Sequence, residues 1–304
     1  MTDKPWLAHY DKGVPQTIDI PKAPLFHFLD ESARKYPDRA CTIFKGAVIT
    51  YKEMNELSDR IAAALVNMGV KKGDRVGIFM PNTPQFVMAY FGILKAGGVV
   101  VATNPLYTPH EIEHQANDAG IEVMFVMTNF YNTIKKAQPN TKIKKVIVTN
   151  LKETLPPVLR VLFTLLREKK GGFHIDKNLP DGDVWMQDLL GNYKSAARPN
   201  AQVGPDDTAL FQYSGGTTGV SKGAVALHRN IVANTLQIRS WMTVLEEGKE
   251  IELMGIPLCD AYGIVAGMNF AMSTGAAISG RLAPTHSKVT PESVHTSMMS
   301  VTLR

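Results

Sequence analysis

Between Ser214 and Gly223 the chain reads Ser-Gly-Gly-Thr-Thr-Gly-Val-Ser-Lys-Gly, with four glycines, four hydroxyl residues and one lysine in ten positions. Glycines let backbone N–H groups turn toward an anion, because no Cβ blocks the approach or forbids positive φ. Ser214, Thr217, Thr218 and Ser221 add hydroxyl donors, and Lys222 adds a fixed positive charge for phosphate oxygens. A Walker loop requires Gly directly before its Lys, where Ser221 stands here, and this stretch contains no G-x-G-x-x-G. The chemistry that fits is polyphosphate binding by backbone amides and an ammonium group. The plain alternative is a Gly/Ser/Thr connection with an incidental lysine.

Other candidates are weaker. His110 and His114 have the i, i+4 spacing of a ligand pair, but Glu111-Ile112-Glu113 between them makes no H-E-x-x-H. A solvated helix face is the preferred reading, and no metal site is expected. Cys41 and Cys259 form no disulfide framework and point to a reducing, cytosolic compartment. Cys41 lies in an expected strand and reads as buried. Tyr107 and Tyr262 suit either a substrate pocket or core packing.

The elements that must position these residues follow from apolar spacing. Thr208–Tyr213 reads as a strand running into the glycine-rich segment. Upstream, strands are expected at 75–80, 99–103, 122–127 and 145–149, separated by helices at 84–96, 108–120 and 131–137. Cys41–Phe44 and Ala47–Thr50 bracket Lys45-Gly46 as a hairpin. Thr50-x-x-Glu53 and Thr108-x-x-Glu111 are helix-starting boxes, and a helix over 25–36 ends at Pro37. The class is α/β, with mostly parallel sheets flanked by helices.

At 304 residues and 44% hydrophobic, the chain can fill a core, which excludes a disordered polypeptide. The longest apolar tract, 86–102, contains Lys95 and three glycines, and residues 1–5 precede no apolar signal, so secreted and integral-membrane readings are set aside. Residues 135–172 hold ten Lys/Arg against two Glu, although the whole chain carries only +5. Such a patch suits an anionic surface; no nucleic-acid motif accompanies it, so no nucleic-acid partner is expected. Within it, apolar residues cover most of a helix over 155–170. Two readings stand: an interfacial helix on an anionic membrane, and, slightly preferred, a buried helix with a solvated edge. Residues 171–204 read as a linker.

Tyr213-Ser-Gly-Gly-Thr-Thr-Gly-Val-Ser-Lys-Gly223, followed by Leu227-His228-Arg229-Asn230, resembles the AMP-binding signature of adenylate-forming enzymes, and among these the long-chain fatty-acid–CoA ligases. Ile49-Thr50-Tyr51, Gly73-Asp74-Arg75-Val76, Met80-Pro81-Asn82, Asn104-Pro105-Leu106-Tyr107-Thr108 and Gly267–Gly275 support the likeness, which runs from about residue 5 to Ala277. The resemblance implies an incomplete large N-terminal domain and a two-step reaction: a fatty-acid carboxylate attacks ATP, giving acyl-adenylate, and the CoA thiol displaces AMP. ATP, Mg²⁺ and CoA are the implied cofactors and co-substrates. By matched position, Tyr213, Ser214, Gly215, Gly216, Thr217, Thr218, Gly219, Val220, Ser221, Lys222 and Gly223 form the nucleotide site. The resemblance transfers no catalytic residue. The region around Arg160 also resembles a basic hydrophobic insert of that subgroup, implying peripheral membrane contact from the cytoplasmic side.

The implied organisation is an arm (1–24), a first α/β subdomain (25–204) with the insert near 152–172, the start of a second subdomain (205–279) and a divergent tail (280–304). Two departures qualify the likeness. Where the family has Pro-Leu-Phe-His-x-Tyr-Gly, this chain has Pro257-Leu258-Cys259-Asp260-Ala261-Tyr262-Gly263. Asp260 then faces solvent, helps hold a metal, or marks a damaged substrate pocket, and the last is favoured; Tyr262 and Gly263 are its substrate-side companions. The likeness also stops after Ala277, so a truncated or frameshifted product is expected, with impaired turnover alone. The alternatives are a non-catalytic nucleotide-binding remnant or partner of a full-length ligase, and an adenylate-forming ligase for another carboxylic acid.

Overall fold

Up to residue 170, and again at 208–213, helices and strands form where the apolar spacing places them. In chain order they are α1 (His27–Lys35), β1 (Ala40–Phe44), β2 (Ala47–Thr50), α2 (Tyr51–Asn67), β3 (Arg75–Phe79), α3 (Pro84–Lys95), β4 (Val99–Ala102), α4 (Pro109–Ala119), β5 (Val123–Met127) and α5 (Tyr131–Ala137). There follow β6 (Lys145–Thr149), α6 (Pro157–Leu166), β7 (Val184–Trp185), α7 (Met186–Asn192), β8 (Thr208–Tyr213), β9 (Gly223–Leu227), α8 (His228–Trp241), β10 (Ile251–Met254), α9 (Phe270–Thr274) and β11 (Ala277–Gly280). The computed structural model describes residues 4–180, 182–213 and 221–280.

The larger sheet has seven strands in the order β7-β6-β5-β3-β4-β8-β9, parallel throughout except for β9, which runs antiparallel to β8. The smaller has the order β10-β11-β1-β2, with β1 and β2 as an antiparallel hairpin and the other pairs parallel. Lys45 and Gly46 both take positive φ, the geometry a two-residue hairpin turn demands. Both sheets therefore draw strands from either side of residue 204.

One core cluster joins the small sheet (Phe44, Met254, Ile278), α2, α3 and one face of the large sheet (Ile78, Val100). A second lies on the opposite face, between Phe79, Val101 and Val126 of the sheet and Ile112, Ala116 and Ile134 of α4 and α5. All twelve residues of α3 are buried, the polar Gln85 and Lys95 included, as expected of a helix that is otherwise apolar around its circumference. Thr50 and Thr108 both accept from the backbone N–H three residues on, and the Glu there returns the bond.

Two expectations require correction. Residues 171–204 are not merely a linker: they supply edge strand β7 and helix α7, with Met186 and Leu189 buried. The preferred burial of the 155–170 helix also fails. No residue of α6 is buried; Val158 is 71% and Leu165 76% exposed, and Phe163, against Phe173, is its one apolar side chain packed on the core. Apolar residues cover more of this helix than one core-facing side can use, so the excess faces outward.

The basic stretch is partly neutralised within the fold. Lys135 pairs with Asp183, Lys144 with Glu122, Lys152 with Glu168 and Arg160 with Glu153. Arg167, Lys169 and Lys170, directly after α6, stay exposed. Among the described residues, no helix is long and apolar enough to cross a membrane.

Candidate functional site

The chain leaves β3 through α3 and β4 through α4, and these helices cover opposite faces of the sheet. In an open parallel sheet this reversal opens a crevice at the carboxyl ends of the strands, the usual place for a ligand. Three sequence-marked segments lie at that edge: Met80–Asn82 after β3, Thr103–Thr108 after β4, and Tyr213 at the end of β8. β9 begins opposite, with Gly223 paired to Tyr213. Ser214 to Val220 lie outside the described residues; Tyr213, Ser221, Lys222 and Gly223 frame them, with Lys222 exposed.

Alternation along β8 sends Gln212 and Tyr213 to opposite faces, and each finds a partner. The Gln212 carboxamide donates to the carbonyl of Cys259 at 3.1 Å, joining the strand to the 257–263 segment. The Tyr213 hydroxyl donates to Asp118 Oδ2 of α4 at 2.5 Å. Burial, then the hydrogen bond from the phenol to the carboxylate, raises the Tyr213 phenol above its ordinary range, so it stays a donor. A Cβ on Gly223 would sit 2.9 Å from the Tyr213 ring, so any larger residue there would push the ring from its place.

The 257–263 segment is held from β3 as well. Asn82, 8% exposed, donates through Nδ2 to Ile256 O at 2.7 Å and accepts through Oδ1 from Leu258 N at 2.7 Å. Gly263 opens a π-helical turn over Gly263–Asn269, and a Cβ there would lie 2.2 Å from Pro257 O. Such single turns are frequent at functional sites. Tyr262 is 66% exposed. Asp260 is exposed too, its carboxylate 3.8 Å from Cys259 Sγ. Burial first, and then Asp260, push the Cys259 thiol up to about 12, so it is no thiolate near neutrality. Among the described residues, no group of three or more His, Cys, Asp or Glu could hold a metal ion.

The structure thus brings the base of the glycine-rich hairpin and the Pro257–Gly263 segment together. Gln212 joins them, Asn82 ties the same segment to the end of β3, and neither amide was singled out from sequence. Asn82 lay inside a quoted motif, directly after Pro81 at a strand end, which was the available signal; the Gln212 contact to Cys259 spans 47 residues and left none. His110 is exposed on α4, and His114 instead approaches the carbonyl of Ser221.

The sequence profile described as AMP-binding enzyme matches residues 29–297, continuing past Ala277, where the motif-by-motif likeness ends. The long-chain-fatty-acid–CoA ligase of Bacillus subtilis (strain 168) is 34% identical over 275 residues, covering 90% of this chain and 49% of that protein. The long-chain-fatty-acid–CoA ligase of Escherichia coli O157:H7 is 36% identical over 265 residues, covering 86% and 47%. The chain spans about half the length of the curated relatives it matches. Among solved structures, the anthranilate CoA ligase AuaEII in complex with anthranoyl-AMP superposes with a TM-score of 0.73 at 19% identity, over 93% of this chain and 49% of that one.

Proposed function

The chain belongs to the AMP-binding enzyme family, and from that premise we propose that it serves ATP-dependent activation of a fatty acid, first to acyl-adenylate and then to acyl-CoA. ATP, delivered as its Mg²⁺ complex, fatty acid and CoA are the substrates. The fatty-acid carboxylate attacks the α-phosphorus and pyrophosphate leaves; the CoA sulfur then attacks the acyl carbon and AMP leaves. A carboxylate is a poor electrophile, and this chemistry depends mainly on alignment and charge neutralisation. In the proposed site Tyr213 to Gly223 receive the polyphosphate, with Lys222 supplying the positive charge. Asp260, Tyr262 and Gly263 belong to the substrate side, where an exposed carboxylate at 260 would repel an approaching acid.

The observation that carries this reading is the Gln212–Cys259 hydrogen bond, which ties the strand leading into the glycine-rich segment to the Pro257–Gly263 segment. The test is fatty-acid-dependent exchange of pyrophosphate into ATP by the purified chain. Exchange with palmitate and none with benzoate supports the reading. ATP binding without exchange favours the non-catalytic remnant, and exchange with aryl acids alone favours another acid as substrate.

The exposed apolar side chains of α6, with Arg167, Lys169 and Lys170 at its end, favour a peripheral contact with the anionic cytoplasmic face of a membrane. Apolar insertion and attraction to anionic lipid reinforce one another there. The chain should pellet with phosphatidylglycerol-containing vesicles, and Leu162→Ser/Leu165→Ser should abolish this. Equal pelleting with neutral and anionic vesicles, or none, contradicts the contact.

A further inference from the structure

Helix α4 presents two polar side chains one turn apart to the β8–β9 hairpin, and each meets a different end of the connecting segment. Asp118 Oδ2 accepts from the hydroxyl of Tyr213, the last residue of β8, at 2.5 Å. His114 Nε2 lies 2.9 Å from the carbonyl oxygen of Ser221, which can only accept, so the ring nitrogen donates. Ser221 directly precedes Lys222. The two contacts cross 95 and 107 residues of sequence.

We propose that His114 and Asp118 are positioning residues for polyphosphate binding: by holding the chain at Tyr213 and at Ser221, they set where the Lys222 ammonium meets phosphate oxygens. The inference rests on the nucleotide site proposed above and adds the helix that holds it.

The helix suits this role because it is fixed independently of the hairpin. Its first turn is closed by Thr108 and Glu111, and Arg75 Nε donates to Ala119 O at 2.8 Å at its last turn. Ile112, Ala116 and Ala119 anchor its other side in the core. A side chain on such a helix transmits a position to its partner, whereas one on a loose segment would follow it. The Tyr213 ring, lying against Gly223, carries the same restraint across to the first residue of β9.

The test separates phosphate recognition from folding by comparing ATP with adenosine, which lacks phosphates, in calorimetric titrations of the whole chain. Asp118→Ala and His114→Ala should each weaken ATP binding about tenfold, the scale of one lost hydrogen bond, while adenosine affinity stays unchanged. Asp118→Asn and His114→Gln keep an acceptor and a donor, and should restore ATP affinity to within about threefold of wild type. Should the alanine variants fail to fold, Tyr213→Phe removes only the hydroxyl and should show the same selective loss. Unchanged ATP affinity in the variants, or parallel loss of ATP and adenosine binding, overturns the inference. If Lys222→Ala weakens ATP binding while the α4 variants do not, this inference alone fails; if wild type binds no ATP, the underlying site fails with it.

Discussion

The backbone N–H of Leu25 donates to Nδ1 of His228 at 2.9 Å, joining residues 203 positions apart. The imidazole is therefore neutral, and at 1% exposure its burial pulls the pKa from 6.5 down to about 4. Below pH 6.5 the unfolded chain takes up a proton that the folded chain refuses until about pH 4, so stability falls as pH drops through this window. Denaturant titrations at pH 7 and 4.5 should show wild type losing about 2–3 kcal/mol more than His228→Gln. Equal losses would contradict this.

Lys95 gives a slope of the same sign in a more alkaline window. Its ammonium is fully buried, 2.8 Å from Asp59 Oδ1, 2.6 Å from Asn55 Oδ1 and 2.7 Å from Ser58 Oγ; Arg198 pairs with the same Asp59 and with Asp30. Burial outweighs Asp59 and lowers its pKa from 10.5 to about 8. Above pH 8 the folded chain loses this proton while the unfolded chain keeps it to about 10.5, so the group's contribution to stability rises with pH across that window. Between pH 7.5 and 10, the stability difference between wild type and Lys95→Met should move in favour of wild type by about 2–3 kcal/mol. A pH-independent difference would show that the ammonium is not being lost.

Asn82 satisfies a carbonyl and an N–H of the 256–258 segment together. Asn82→Ala leaves both without their partner and should cost about 2–4 kcal/mol in denaturant unfolding. Asn82→Asp keeps the acceptor for Leu258 N but loses the donor to Ile256 O, and should fall between. A loss under about 1 kcal/mol for the alanine variant would mean that water replaces both bonds.

Gly263→Ala places a methyl 2.2 Å from Pro257 O, a backbone atom that cannot swing aside. The expected loss is about 3 kcal/mol or more, read as a lower Tm. An unchanged Tm would mean that the Pro257–Gly263 turn relaxes freely.

Much of the fold was legible because its signals are local. Short apolar runs separated by helices marked β3 to β6, Thr50/Glu53 and Thr108/Glu111 marked helix starts, and Lys45-Gly46 marked the hairpin. What escaped depends on distant partners: β1 pairs with β11 across more than 230 residues, and neither strand encodes the other. Apolar coverage of α6 was visible, but coverage alone cannot say whether a helix faces the core or the outside. Within the candidate site, the glycine-rich segment drew the phosphate-binding proposal by its composition. Asp118 and His114, which contact the residues at its two ends, are ordinary helix-surface types whose contacts exist only in three dimensions.

The measurement that bears most directly on the account is calorimetric titration of the 304-residue chain with Mg²⁺–ATP, wild type beside Lys222→Ala. Wild type should bind saturably and the variant at least about tenfold more weakly, as expected when one charge-assisted phosphate contact is removed. No binding by folded wild-type protein, or equal affinities in the two proteins, would contradict it.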